Sequence, residues 1–244
     1  MALTAPVDLL DTWEQALARP GPARALVLHH AARPEAGPDE LLRVPVGARE
    51  ADLYALRRAW FGDRMEVLAE CSSCGEALEF DLDPGALAAP PEGGGEPLRV
   101  VEDGWDVAFR PPTVGDLVEA ARGEDAAAAR RDLLARCVLA ARHDGHPVAA
   151  DELPEPIQRR LAEAAERADP AGDVVLRVAC PGCAVTTPLR LDIAGYLWAE
   201  LDFWARDLLL DVHVLAGAYG WTEPEILALS PVRRRYYLEL CADA

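Results

Sequence analysis

Val67-Leu68-Ala69-Glu70-Cys71-Ser72-Ser73-Cys74-Gly75 and Val178-Ala179-Cys180-Pro181-Gly182-Cys183-Ala184 carry the reading on which the fold turns. Each holds a Cys-x-x-Cys pair at the end of an apolar, strand-like run and before another. Two such knuckles supply the four thiolates of a closed, tetrahedral structural zinc site. The 105 residues between Cys74 and Cys180 lie far outside the spacing of a short zinc ribbon. One ion on Cys71, Cys74, Cys180 and Cys183 would therefore tie distant parts of the chain together. A four-sulfur site leaves no position for water or substrate, so its expected role is architectural, not catalytic. Two rival readings exist: four reduced, partly buried cysteines without metal, and a thioredoxin-like redox pair. The redox pair would open a helix after a strand, whereas Gly75 and a further strand-like run follow Cys74. Gly75 suits the strained turn of a knuckle. Ala184 stands in the matching place of the second pair, which predicts either a small cost or a different turn.

On either side of the first knuckle the pattern is regular. Ala77 to Asp83 alternates apolar and acidic residues as a half-exposed strand does, and Val174 to Ala179 and Pro188 to Leu191 frame the second knuckle. Leu98 to Val101 and Trp105 to Phe109, separated by Glu102-Asp103-Gly104, predict a β-hairpin. Arg110-Pro111-Pro112-Thr113 then introduces a helix, with Thr113 as N-cap and Asp116 at the capping-box position. Further helices are expected at Val7 to Ala18, Glu50 to Phe61, Asp125 to Arg142 and Pro154 to Ala168, and Ala25 to His30 reads as a short buried strand. From Asp192 to Tyr219 a long helix carries a stripe of Leu197, Leu201, Trp204, Leu208, Leu215 and Tyr219, stopped by Gly220. Thr222 and Glu225 form a second capping box, and Ser230-Pro231 starts a last helix. Ala88 to Pro97, rich in Pro and Gly, reads as a flexible linker.

The expected organisation is α+β: an N-terminal α/β segment over 1–63, a zinc-ribbon-like β-unit from 64–88 and 172–191, a mainly helical insertion over 98–171, and a C-terminal helical interaction segment over 192–244. With 244 residues the chain can bury a real core, so zinc would not be its sole support.

A net charge of −18 opposes a nucleic-acid footprint, and Arg233-Arg234-Arg235 is the one basic cluster. No segment reaches the roughly 18 apolar residues of a membrane span, and Met1 to Asp8 lacks the features of a signal peptide. Paired cysteines that favour metal over disulfide fit the cytoplasm. No phosphate-cradling loop, nucleophile elbow or His-Glu-x-x-His is present, the five histidines show no ligand spacing, and no catalytic constellation emerges. Cys137 and Cys241 read as small core residues. Trp198, Trp204, Tyr219, Trp221, Tyr236 and Tyr237 concentrate aromatics near the C-terminus. A helical hairpin would bury most of them; those left exposed would mark a protein interface.

The tail Asp211-Val212-His213-Val214-Leu215-Ala216-Gly217-Ala218-Tyr219-Gly220-Trp221-Thr222-Glu223-Pro224-Glu225, followed by Arg233-Arg234-Arg235-Tyr236-Tyr237-Leu238, resembles the C-terminal signature of baseplate hub and assembly proteins of T-even-type contractile phage tails and phage-tail-like contractile injection systems. The first knuckle with its acidic-apolar strand, Arg110-Pro111-Pro112-Thr113 with Asp116-Leu117, and Leu134-Ala135-Arg136-Cys137-Val138 add to the likeness, which runs from about residue 64 to 240. It implies a non-enzymatic part in building the baseplate, acting in the cytoplasm or within an assembled tail-like particle. It further implies a structural Zn²⁺ on the four cysteines and a surface for other baseplate or hub proteins around Tyr219, Trp221, Arg234 and Tyr237. Nucleic acid, membrane and small-molecule substrates are not expected partners. The alternative is a zinc-ribbon adaptor acting with nucleic acid or transcription machinery, which the −18 charge opposes.

Overall fold

The computed structural model describes residues 5–87 and 97–242. In chain order its elements are α1 (Pro6–Leu17), α2 (Pro22–Ala32), α3 (Pro38–Leu42), α4 (Val46–Phe61), β1 (Met65–Glu70), β2 (Ala77–Leu82), β3 (Leu98–Glu102), β4 (Trp105–Phe109), α5 (Val114–Ala120), α6 (Ala126–Cys137), β5 (Val138–His143), β6 (His146–Pro147), α7 (Glu155–Ala168), β7 (Val175–Ala179), β8 (Thr186–Arg190), α8 (Ile193–Tyr219), α9 (Glu223–Leu227) and α10 (Pro231–Ala242). This is a mixed α+β fold in which every sheet is antiparallel: the hairpins β1-β2 and β7-β8, and a four-stranded sheet β3-β4-β5-β6. The linker expected at 88–97 lies, apart from Pro97, outside the described residues. The chain divides into two compact units, His29–Ile193 and Met1–Leu28 with Ala194–Ala244.

Two expectations from sequence are corrected. Ala25 to His30 is not a strand but the middle of α2. A six-residue apolar run does not by itself distinguish the two states; Pro22 in the first turn and four alanines favour the helix. Residues 1–63 therefore carry helices and, among those described, no strand, so that segment is not α/β. The helix expected over 125–142 stops at Cys137, and Val138–His143 becomes β5, paired with β4 from Trp105↔His143 to Phe109↔Val138. Ala140, Ala141 and Arg142 are good helix formers, but the free edge of β4 offers ladder hydrogen bonds, and tertiary context outweighs such a weak local preference. The insertion consequently contains a sheet as well as three helices.

In the His29–Ile193 unit, the β3-β4 turn places Asp103 at φ 50° and Gly104 at φ 80°. Two left-handed residues match the right-handed twist of the flanking strands. Val107, Phe109 and Ala141 of the sheet pack on Leu153 and on Ile157 and Leu161 of α7. The capping box at α5 forms as the sequence predicts: Asp116 accepts from the Thr113 backbone N–H at 2.8 Å and donates its own N–H to Thr113 Oγ1 at 3.3 Å. Arg110 adds two bonds to the same carboxylate, at 2.6 and 3.1 Å, and a third to the Arg136 carbonyl at 3.1 Å, which fastens the end of α6. Burial acts to raise the Asp116 pKa, but Arg110 and Thr113 outweigh it and hold the carboxyl at about 2.

The start of α4 is completed from far along the chain. Its N-cap, Pro45, supplies no side-chain acceptor, so Asp169, just beyond α7, accepts from the Gly47 N–H at 2.8 Å. A Cβ on residue 47 would lie 1.7 Å from Asp169 Oδ1, so only glycine admits the carboxylate.

In the other unit, α8 buries Leu197, Leu201, Ala205, Leu208 and Leu215. The Trp13 indole of α1 donates to Asp202 at 2.8 Å, and the Arg24 guanidinium lies 4.1 Å over the Trp198 ring. Gly220 at φ 69° ends α8. The Thr222–Glu225 capping box starts α9, and Ser230 Oγ accepts from the Arg233 N–H at 3.3 Å at the start of α10. Among the described residues no helix is long and apolar enough to cross a membrane.

Candidate metal centre

Hairpins β1-β2 and β7-β8 are built alike, and each turns through its Cys-x-x-Cys pair. In the first, the Gly75 N–H donates to the Cys71 carbonyl and the Cys71 N–H to the Glu76 carbonyl, both at 2.9 Å. In the second, the Ala184 N–H donates to the Cys180 carbonyl at 2.9 Å and the Cys180 N–H to the Val185 carbonyl at 3.0 Å. Gly75 sits at φ 73° and Ala184 at φ 60°. The alanine thus keeps the knuckle geometry and bears the left-handed strain, about 1–2 kcal/mol for an L-residue. Ala184→Gly should stabilise the protein by about 0.5–1 kcal/mol after the extra chain entropy of glycine is deducted. A lower midpoint in urea unfolding would show that the turn is unstrained.

The knuckles meet. Cys71 Sγ lies 3.7 Å from Cys183 Sγ, and Cys74 Sγ lies 3.6 Å from Cys180 Sγ. All four sulfurs lie within 4.8 Å of one another, a group that could hold a metal ion. Cys71 and Cys180 are buried against Leu78, with Ala69, Val178 and Cys183 beside them, while Cys74 faces solvent. Thr187, 2% exposed, points its hydroxyl at Cys71 Sγ at 3.6 Å. Backbone N–H groups of Cys74 and Ser73, with that hydroxyl, lower the Cys71 thiol to about 6. At Cys74 the Glu76 N–H favours the thiolate, but the Cys183 and Cys180 sulfurs outweigh it and push the thiol up to about 12. Four crowded sulfurs cannot all be anionic without a cation among them; a bound cation reverses that balance. Soft thiolate donors suit Zn²⁺, Cu(I) or iron–sulfur chemistry.

Of the other predicted site residues, Tyr219, Trp221 and Tyr237 come together. Tyr219 stacks on Trp221 with centroids 4.7 Å apart, and Tyr237 meets them edge-on at 5.7 and 4.9 Å. Tyr219 is 39% exposed, so this cluster is partly open to solvent. Arg234 does not join it at the surface: it is buried and pairs with Asp211 at 3.0 Å. Cys137 is buried, and desolvation raises its thiol to about 11, which leaves it protonated at neutral pH. His29, wholly buried, meets Asp52 at 3.1 Å, and His143 stacks on Trp105 at 4.4 Å.

Sequence reasoning missed Thr187 and the Asp169–Gly47 bond. An alternating strand pattern marks Thr187 as inward-facing, but no local signal links residues 47 and 169. It also missed a groove of about 630 Å³ between α6 and α7, walled by Leu133, Leu134 and Cys137 on one side and Leu161, Ala162 and Ala165 on the other. Comparison with protein-family models, curated proteins and solved structures finds no match to this chain.

Proposed function

We propose that the protein is a non-enzymatic structural component or assembly factor of the baseplate of a contractile phage tail or phage-tail-like injection system, built around a structural zinc ion. Cys71, Cys74, Cys180 and Cys183 would hold the ion. A Zn–S bond of ~2.3 Å implies an edge of about 3.8 Å for a regular sulfur tetrahedron; the Cys71–Cys183 and Cys74–Cys180 separations of 3.7 and 3.6 Å are close to that edge, and all four sulfurs lie within 4.8 Å of one another. Bound zinc would supply folding free energy by holding deprotonated thiolates in fixed geometry. The chain does the rest: the backbone N–H groups at Ser73 and Cys74 and the Thr187 hydroxyl orient Cys71, and Leu78 covers Cys71 and Cys180.

The observation that carries the baseplate reading is the tail. The residues bearing the family resemblance, Tyr219, Trp221 and Tyr237, form one aromatic cluster at the end of a 27-residue helix, partly open to solvent. Aromatic residues of this kind are favoured anchors in protein interfaces. The carboxylates on the first hairpin, Glu66, Glu70, Glu79 and Asp81, all exposed, oppose the nucleic-acid adaptor reading.

Trp221→Ala should reduce recovery of sheath, tube or spike proteins in an affinity pull-down by at least tenfold, while Trp221→Phe keeps most of it. Circular dichroism should show the helices retained in both. Recovery unchanged by Trp221→Ala would exclude this cluster as the docking point, and pull-downs empty of tail proteins would remove the baseplate assignment.

A further inference from the structure

The aromatic cluster uses only one face of α10. Arg234, Tyr237 and Cys241, three and four residues apart, turn toward α8: Arg234 reaches Asp211, and Tyr237 meets Tyr219. The opposite face is also apolar. Val232, Tyr236 and Leu240 recur every fourth residue, so they form one row, and they are 80%, 65% and 48% exposed. A helix that needs one apolar face to pack on its own protein has a second such face bare. Rows of anchors at this spacing are what a partner's hydrophobic groove takes from a helix.

Charge indicates what the groove carries. The protein has a net charge of −18, yet α10 begins with the chain's one run of three basic residues. Arg234 is turned inward, which leaves Arg233 and Arg235 exposed on either side of the row, with Glu239 paired to Arg235 at 3.2 Å. Phosphate ligands would use the arginines but not Val232 and Leu240. An anionic membrane would repel a chain of this overall charge. We propose that the outer face of α10 is a docking helix for another protein, which receives Val232, Tyr236 and Leu240 in an apolar groove edged by Asp or Glu. This deepens the assembly reading and rests on it for the existence of a protein partner.

The test uses the full chain in the cells that produce it, with p-benzoylphenylalanine in place of Tyr236, irradiation, and mass spectrometry of the cross-linked peptides. The expected product joins α10 to a leucine- or isoleucine-rich segment of a second protein flanked by carboxylates. Affinity for that purified protein should then fall at least tenfold in Val232→Ser/Leu240→Ser and in Arg233→Glu/Arg235→Glu, and should weaken with salt. All four side chains are exposed, so melting curves should match the wild type. Variants that bind as the wild type does, a cross-link back into the same chain, no cross-link, or flotation with phosphatidylglycerol vesicles would each overturn the proposal. If the captured protein has the acidic groove but is no tail protein, the docking face stands and the baseplate assignment falls.

Discussion

With zinc on the four sulfurs as proposed, Cys71→Ser is expected to abolish zinc binding and lower stability by at least about 4 kcal/mol in zinc-containing buffer, the linkage contribution of a ligand present near 1,000 times its Kd. The effect should exceed that of an ordinary core truncation because of what the sulfurs join. β1-β2 and β7-β8 are separate two-stranded hairpins, and a hairpin of that size is marginal alone in water. Leu78, Ala69 and Val178 give the pair only a small apolar core. Without the ion, crowded thiols replace a cation-centred cluster, and serine oxygen is a poor substitute for thiolate sulfur. Metal analysis should fall from about one zinc per chain to near zero, and chelating the wild type should reproduce the lower unfolding midpoint. Chelator should have no further effect on the variant. Full zinc occupancy and an unchanged midpoint in Cys71→Ser would end the four-sulfur account.

Gly47→Ala is expected to cost about 2 kcal/mol, although alanine is the better helix former by about 1 kcal/mol. The added Cβ would stand 1.7 Å from Oδ1 and 2.5 Å from Cγ of Asp169. Asp169 must then swing away and give up its charge-assisted bond to the Gly47 N–H, which leaves a buried carboxylate and a helix N-terminus unpaired; a bond of that kind is worth roughly 1.5–3 kcal/mol. Asp169→Ala removes the obstacle together with the bond, so Gly47→Ala made on that background should be neutral or slightly stabilising. A double-mutant cycle by urea unfolding measures this. Simple additivity would show that the two residues are not coupled.

What could be read before folding follows from the range of each interaction. The hairpin turn at Asp103-Gly104, both capping boxes and the length of α8 were legible, because glycine, proline and capping side chains act within four residues of themselves. The knuckles were legible too, since Cys-x-x-Cys spacing already contains half of each ligand set. The missed elements share the opposite property. Ala25 to His30 and Val138 to Arg142 are short runs compatible with either state, and each is decided by what packs against it, as β4 decides β5. Arg234 looks from its neighbours like surface charge, yet Asp211, one helix away, draws it inward.

Chemistry carried by adjacent residues thus determined the pairing of the thiols and the local conformations of turns and caps. Which distant segments meet was left to the tertiary structure. The convergence of the two knuckles, Asp169 at the start of α4 and the bare outer row of α10 depend on contacts between residues far apart in the chain, and the entropy of closing such loops is repaid only by the assembled core.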